Sequence, residues 1–119
     1  GFVSEKEVDI AERRLEVDKT MELISALASQ QRLALLSCYT ILFNGTKRVS
    51  TGQAYEVYQN LCRRENSQAL TQRRFSDMIS FLDLYGLINA RVVSMGRYGK
   101  TREIAGSLPE RVVRGVVNL

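Results

Sequence analysis

The sequence predicts a mainly α domain with a small β-hairpin, and three observations in its C-terminal half support that fold class. An apolar stripe with helical spacing predicts a helix over residues 71–85. Gly86 can end this helix, and the Ile- and Val-rich run at 87–93 predicts a strand. The basic, glycine-containing segment 94–100 predicts a turn that lets residues 101–105 return as a second strand. A helix followed by such a hairpin is typical of a winged helix-turn-helix.

The helix predicted over residues 71–85 has one apolar side and one polar side. Its apolar stripe consists of Phe75, Met78, Ile79, Leu82 and Tyr85. Its polar positions are Gln72, Arg73, Arg74, Ser76, Asp77 and Ser80. We therefore expect one side to pack on the core and the other side to face a partner.

The residues before this helix predict the other parts of a helix-turn-helix. Residues 30–43 are almost entirely apolar after Arg32, so their helix is expected at the centre of the core. Residues 46–49 form a connector that could be the small first strand that winged helices often carry. Ser50 and Gln53 have the spacing of a capping box and open the next helix. A polar turn then leads to the helix described above.

One further helix is predicted after the hairpin and one at the start of the chain. Ser107 and Glu110 have capping-box spacing and open the last helix, whose apolar side carries several valines. A long, mostly charged helix begins near Ser4. Its C-terminal half is expected to dock through the stripe Val17, Met21, Ile24 and Ala28. The chain therefore divides into a leading helix (residues 1–28) and a winged-helix domain (residues 29–119).

The net charge of +4 hides an asymmetry between these two parts. Residues 1–28 contain four bases and seven acids, a net charge of −3. Residues 29–119 contain thirteen bases and six acids, a net charge of +7. A basic globular part favours an anionic partner such as nucleic acid. A charged surface that only keeps the protein in solution would explain the same numbers.

The composition argues against several other classes of function. A length of 119 residues with 45% apolar content suits one domain with one modest core. No apolar run reaches about 18 residues, so no membrane partner is expected, and no signal pattern argues for secretion. With no His and no phosphate-binding loop, we expect neither a metal site nor catalytic residues. Cys38 and Cys62 stand among apolar residues, which favours buried thiols over a disulfide.

The residue types at the start of the helix over 71–85 suit recognition of duplex DNA. The major groove of B-DNA admits one α-helix, and the N-terminal end of a helix offers N–H groups and a positive dipole to phosphates. Arg73 or Arg74 could chelate guanine, and Gln72 could pair with adenine. Thr71 and Ser76 are short donors for phosphates or base edges.

The hairpin carries a second group of candidate DNA-binding residues, which are Arg97, Tyr98, Gly99, Lys100 and Arg102. Glycines let its backbone approach DNA closely, and an arginine is favoured in a narrow minor groove. The tyrosine of this group could stack on a sugar or pack back on the hairpin.

Ion pairs within the chain are the alternative interpretation of these cations. Asp77 lies one helical turn after Arg73 and could neutralise it or Arg74. Glu103 is adjacent to Arg102 and could pair with it. The clustering of bases on both the helix and the hairpin tip favours the DNA interpretation.

Three segments also resemble the C-terminal winged-helix domain of the archaeal origin-recognition initiators. These initiators are relatives of the eukaryotic origin recognition complex subunits and of the cell-division-cycle helicase loader. The segments are Thr51-Gly-Gln-Ala-Tyr-Glu-Val-Tyr58, Thr71-Gln-Arg-Arg-Phe-Ser-Asp77, and Leu82-Asp-Leu-Tyr-Gly-Leu-Ile88 running into Gly96-Arg-Tyr-Gly-Lys-Thr-Arg102. The resemblance covers essentially the whole chain, and the combination is more specific than any one segment.

The resemblance implies the winged helix of an AAA+ ATPase that binds double-stranded origin DNA and helps to recruit the replicative helicase. ATP and Mg would bind in a separate ATPase module, so no cofactor is expected on this chain. The location would be cytoplasmic, on the nucleoid. The main alternative is a winged helix that contacts protein, either the replicative helicase or a neighbouring initiator. A stand-alone transcription repressor, dimeric through its terminal helices, is the third hypothesis.

The leading helix yields a prediction about local opening. Residues 4–16 carry five acids and three bases with a weak apolar stripe, and an isolated helix of about a dozen residues is marginal in water. We expect fast hydrogen exchange before Glu16 and slow exchange after Met21, with the first part ordered only by the ATPase module that the resemblance implies. Uniform protection from Ser4 onward would contradict this hinge. Tighter DNA binding after deletion of residues 1–16 would indicate that the leader instead screens the DNA face.

Overall fold

A computed structural model of the chain describes residues 5–94 and 96–117, except for the side chains of residues 5–11, 13, 98 and 117. Within this part the chain forms five α-helices and three β-strands, with a 3-10 turn at Gly96–Tyr98. In chain order they are α1 (Glu5–Ala26), α2 (Ser29–Phe43), β1 (Val49–Ser50), α3 (Thr51–Arg64), α4 (Gln72–Leu84), β2 (Ile88–Ser94), β3 (Lys100–Gly106) and α5 (Glu110–Val117). The predicted mainly α fold with a β-hairpin, a winged helix-turn-helix, is confirmed.

Helix α2 lies at the centre of the core, as its apolar sequence predicts. It packs against α3, α4 and α5, and Ala34, Leu35 and Cys38 have no exposed surface. A helix that is buried on several sides has no polar face to present, which explains why its sequence is apolar around most of its circumference.

The hydroxyl of Tyr39 on α2 ties the hairpin to the core. It donates to the carbonyl of Leu87 (2.6 Å) and accepts from the N–H groups of Ser107 (3.2 Å) and Leu108 (3.3 Å). Leu87 precedes β2, and the other two residues follow β3, so one side chain holds both roots of the hairpin. Burial raises the pKa of this phenol above its usual range, since the ionised form would lose its hydration.

The hairpin is part of a three-stranded antiparallel sheet with the strand order β1-β3-β2. Ile104 of β3 pairs with Val49 of β1 and with Ala90 of β2. Ile104 and Val49 are buried, so this side of the sheet faces the core. The predicted first strand exists, although it lies at Val49–Ser50, at the end of the predicted connector.

Three sequence predictions at element ends are wrong. Tyr85 is not part of the buried stripe: α4 ends at Leu84, and Tyr85 is 51% exposed and contacts the ring of Phe81. Ser107 does not cap α5, because the helix begins three residues later at Glu110, and the hydroxyl of Ser107 donates to the carbonyl of Gly86 (2.7 Å). Ala28 is exposed and precedes α2 rather than extending the stripe of α1.

Helix α1 is anchored by its C-terminal end. Ile24 and Leu27 are buried, Val17 and Met21 are partly buried, and Leu15 is 55% exposed. The predicted cap at Ser4 lies outside the described residues. The division into a leader and a winged helix, and the opening of the leader, stay predictions.

The burial of both thiols predicts low reactivity in the native state. Cys38 and Cys62 are free and essentially unexposed, and burial raises the pKa of Cys38 to about 12. Because the thiolate is the nucleophile, an aromatic disulfide reagent at pH 8 should release no thiolate from the native chain and two equivalents after unfolding in guanidinium. Release of one equivalent within minutes from the native chain would contradict this burial.

Candidate nucleic-acid interface

Helix α4 begins at a side-chain cap that leaves its first turn exposed. The Oγ1 atom of Thr71 accepts from the N–H of Arg74 (3.2 Å), which satisfies one of the free donors of the helix end. Its hydroxyl hydrogen remains able to donate to a partner. Phe75 is fully buried, whereas Gln72, Arg73 and Arg74 are exposed. The first turn of α4 is therefore packed on the core through Phe75 and exposed to solvent on its other side.

Two tyrosines of α3 fix the backbone that leads into α4. Tyr55 donates to the carbonyl of Leu70 (2.8 Å), and the hydroxyl of Tyr58 accepts from the N–H of Leu70 (3.0 Å). Tyr58 also donates to Gln30 of α2, and Gln30 donates to the hydroxyl of Ser67 (2.9 Å). The long turn between α3 and α4 is thus tied to two helices, and the start of α4 is fixed with it.

The hairpin tip turns on two glycines with positive φ. Gly96 has φ of 63° and Gly99 has φ of 88°, a region that L side chains adopt only with strain. The N–H of Gly99 donates to the carbonyl of Gly96 (3.2 Å) and closes the turn. Arg97 and Lys100 are exposed beside it. The backbone of Tyr98 belongs to the turn, and its side chain lies outside the described part.

Arg102 is directed at α4 and not at Glu103. Its guanidinium donates to the Oγ of Ser80 (2.6 Å) and to both the carbonyl (2.7 Å) and the Oγ (2.5 Å) of Ser76. Glu103 instead lies 3.4 Å from Arg48 and 3.7 Å from Arg91. The alternative that Arg102 pairs with its neighbour is therefore wrong.

The other ion pair considered from sequence is not observed either. Across residues 5–94 and 96–117, neither Arg73 nor Arg74 lies within salt-bridge distance of a described carboxylate. Asp77 is exposed on the same helix and reduces the local positive charge only partly. The two arginines keep their donors available for an external anion.

A shallow groove joins the start of α3, the start of α4 and the hairpin. Its walls are formed by the capped turn Ser50–Gly52, by Gln72, Arg73, Ser76 and Asp77, and by Val92 and Lys100–Arg102. The structure therefore brings most of the predicted helix residues together with the basic start of β3, next to the hairpin tip. Arg74 lines a neighbouring small depression with Thr71, on the other side of Arg73.

The comparisons with known proteins agree with this architecture. The family model "CDC6, C terminal winged helix domain" matches residues 22–115. This chain belongs to that family.

Two archaeal relatives show that this chain corresponds to part of a longer protein. It is 38% identical to "ORC1-type DNA replication protein 4" of Haloarcula marismortui over 115 residues, which is 97% of the chain and 22% of the relative. It is 41% identical to "ORC1-type DNA replication protein 1" of Methanosarcina acetivorans over 117 residues, 97% of the chain and 28% of the relative. This chain thus spans about a quarter of the length of these relatives.

Solved structures give the same result for the fold. This chain superposes on Aeropyrum pernix ORC1, solved in complex with DNA, with a TM-score of 0.88 and 36% identity, covering 98% of this chain and 30% of that one. It also superposes on Drosophila ORC bound to DNA with a TM-score of 0.71, covering 98% of this chain and 30% of that one, and at 12% identity this likeness shows the fold alone. The chain is a winged helix domain and not a catalytic domain.

Sequence reasoning missed one wall of the groove in this winged helix domain. Thr51 and Gly52 at the start of α3 line it, and the buried Oγ1 of Thr51 has no hydrogen-bond partner among the described residues. In the sequence, the capping box of Ser50 and Gln53 marks the start of α3. Its position at the first of the two helices before the hairpin is the signal that could have identified this wall of the groove.

Other classes of site are not found in the described part of the winged helix domain. No group of three or more Cys, Asp or Glu residues is placed to hold a metal ion there. No helix in that part is long and apolar enough to cross a membrane.

Proposed function

We propose that this chain binds double-stranded DNA sequence-specifically at replication origins, with α4 in the major groove and the hairpin, or wing, in the minor groove. The observation that supports it best is the groove itself, because exposed cations of α4 and the wing line one continuous surface while the other side of α4 is packed on the core. The complex of the similar Aeropyrum pernix ORC1 with DNA and the replication names of the archaeal relatives point to the same partner.

The two elements would have different tasks in this complex. Arg73, Arg74 and Gln72 are long, exposed side chains on the first turn of α4, suited to base edges in the major groove. Thr71 and Ser76 would position the helix through phosphates. On the wing, Arg97, Tyr98 and Lys100 with the backbone of Gly99 would follow the adjacent minor groove, where a narrow width concentrates negative potential.

A protein-contact role, with the replicative helicase or a neighbouring initiator, is the competing proposal. Location on the nucleoid, and ATP and Mg in another module of a longer protein, remain proposals that depend on the family membership. The protein-contact proposal and the DNA proposal make different predictions about the dependence of DNA affinity on salt.

We expect DNA affinity to fall steeply with salt, because the globular part carries a net charge of +7. If about four to six cations contact phosphates, log K against log salt should have a slope of about −0.9 per contact. Fluorescence anisotropy of a labelled duplex between low and moderate salt measures this slope. An affinity that does not depend on salt would favour the protein-contact role, and no binding to any duplex would exclude the DNA proposal.

Substitutions should separate the two DNA elements. Arg73→Ala or Arg74→Ala should weaken binding by about 1–3 kcal/mol, mainly on origin duplex, if these residues read guanine. Arg97→Ala should weaken binding to origin and random duplexes more evenly, since phosphates carry no sequence. Competition titrations with both duplexes measure the difference. Equal losses on both duplexes for all three variants would assign the helix arginines to phosphate contacts.

A further inference from the structure

We propose that Arg102 is a positioning residue that fixes the wing against α4, and that it acts on DNA through that geometry rather than by touching DNA. This inference rests on the proposed function. Its guanidinium donates three hydrogen bonds to α4, to the Oγ of Ser80 (2.6 Å), the carbonyl of Ser76 (2.7 Å) and the Oγ of Ser76 (2.5 Å). Three of the five guanidinium donors are therefore engaged within the protein.

The contact forms a fork across one helical turn. Ser76 and Ser80 are four residues apart on α4, so they lie above each other on one face. Ser80 also donates to the carbonyl of Ser76 (3.2 Å), which links both acceptors. A planar guanidinium with five donors can reach both at once, whereas a lysine ammonium on a flexible stem cannot reproduce this geometry.

The location of Arg102 in the sheet makes the fork a second point of attachment for the wing. The first is the wing root, where the hydroxyl of Tyr39 bonds the residues that flank the hairpin and Asp83 of α4 accepts from the N–H of Ala90 (3.0 Å). Ala90 pairs with Ile104, and Val92 pairs with Arg102, so the fork is about 7 Å nearer the tip. One attachment would let the hairpin swing about its root, and two attachments set its angle to α4.

The position of Lys100, the exposed cation on the same face of β3, depends on the angle between the wing and α4. Side chains two residues apart point to the same side of a strand, so Lys100 follows Arg102 on the side that faces the groove with Gln72 and Arg73. The spacing between the helix that enters one groove and the wing that enters the next is thereby set by Arg102.

The decisive test compares Arg102→Lys with Arg102→Ala in anisotropy titrations on one duplex. Both variants lose the charge-assisted hydrogen bonds to α4, so both should bind DNA about tenfold or more weakly. Lysine keeps the positive charge and loses only the fork, which makes Arg102→Lys the informative variant. A direct phosphate contact predicts instead that Arg102→Lys stays within about threefold of the unchanged chain. That result would overturn the proposal.

A double-mutant cycle tests the partner on α4. Ser80→Ala should weaken binding about threefold, and the double variant with Arg102→Lys should bind within about twofold of Arg102→Lys alone, since both changes break one contact. Independent, multiplying effects would overturn the proposal. The matched control is Arg91→Ala, which removes an exposed sheet arginine that faces Glu103 and should change affinity less than twofold.

A measurement without DNA keeps this inference separate from the proposed function. Backbone residual dipolar couplings of α4 and of the strands β2 and β3 should fit one alignment tensor in the unchanged chain. They should require two in Arg102→Lys at a temperature well below its unfolding transition. One shared tensor in both proteins would overturn the positioning role, even if DNA binding is confirmed. If the unchanged chain binds no duplex, the DNA proposal fails while these couplings still decide whether Arg102 holds the wing.

Discussion

The fully buried hydroxyl of Tyr39 is the contact on which the placement of the wing most depends. It joins α2, the most buried helix, to the residue before β2 and to the two residues after β3. A buried backbone group that loses its partner costs about 1–3 kcal/mol, and the carbonyl of Leu87 is such a group, while the N–H groups of Ser107 and Leu108 are partly buried. The hairpin is therefore fixed at both roots by the core, and not by the sheet hydrogen bonds alone.

Two tyrosine hydroxyls of α3 do the same for the start of α4. Tyr55 and Tyr58 hold both backbone groups of Leu70, and the rings of these tyrosines pack on Phe75 at centroid distances of 5.4 Å and 5.0 Å. The same side chains thus make apolar contacts with the buried side of α4 and hydrogen bonds to the backbone just before its N-terminus. The proposed DNA-reading turn is preorganised by residues that need never touch DNA.

Local patterns were sufficient to predict most of the fold. The stripe of Phe75, Ile79 and Leu82, the cap at Thr71 and the glycine that ends α4 act within a few residues of one another, so the sequence displays them directly. Tyr85 satisfied the same spacing, but the helix ended first, and periodicity alone does not mark an end to the residue.

Long-range contacts were not predictable in this way. The bonds from Arg102 to Ser76 join residues 26 positions apart, and a serine pair on a polar helix face has the same pattern whether it meets water, DNA or an arginine. The sequence placed the cations on the correct elements. Which of them remain free for a partner depended on the register of β3 beside α4, which only the folded chain determines.

The chemistry of the groove also limits which changes in solution it can sense. The cations that line the groove are Arg73, Lys100 and Arg102, and the chain has no histidine. Cys38 lies in the core, where burial raises its pKa to about 12. Histidine is the side chain that ordinarily titrates between about pH 5 and 8. The groove has no histidine, so acidification that releases a histidine-dependent partner would act on that partner and not through a histidine of this surface.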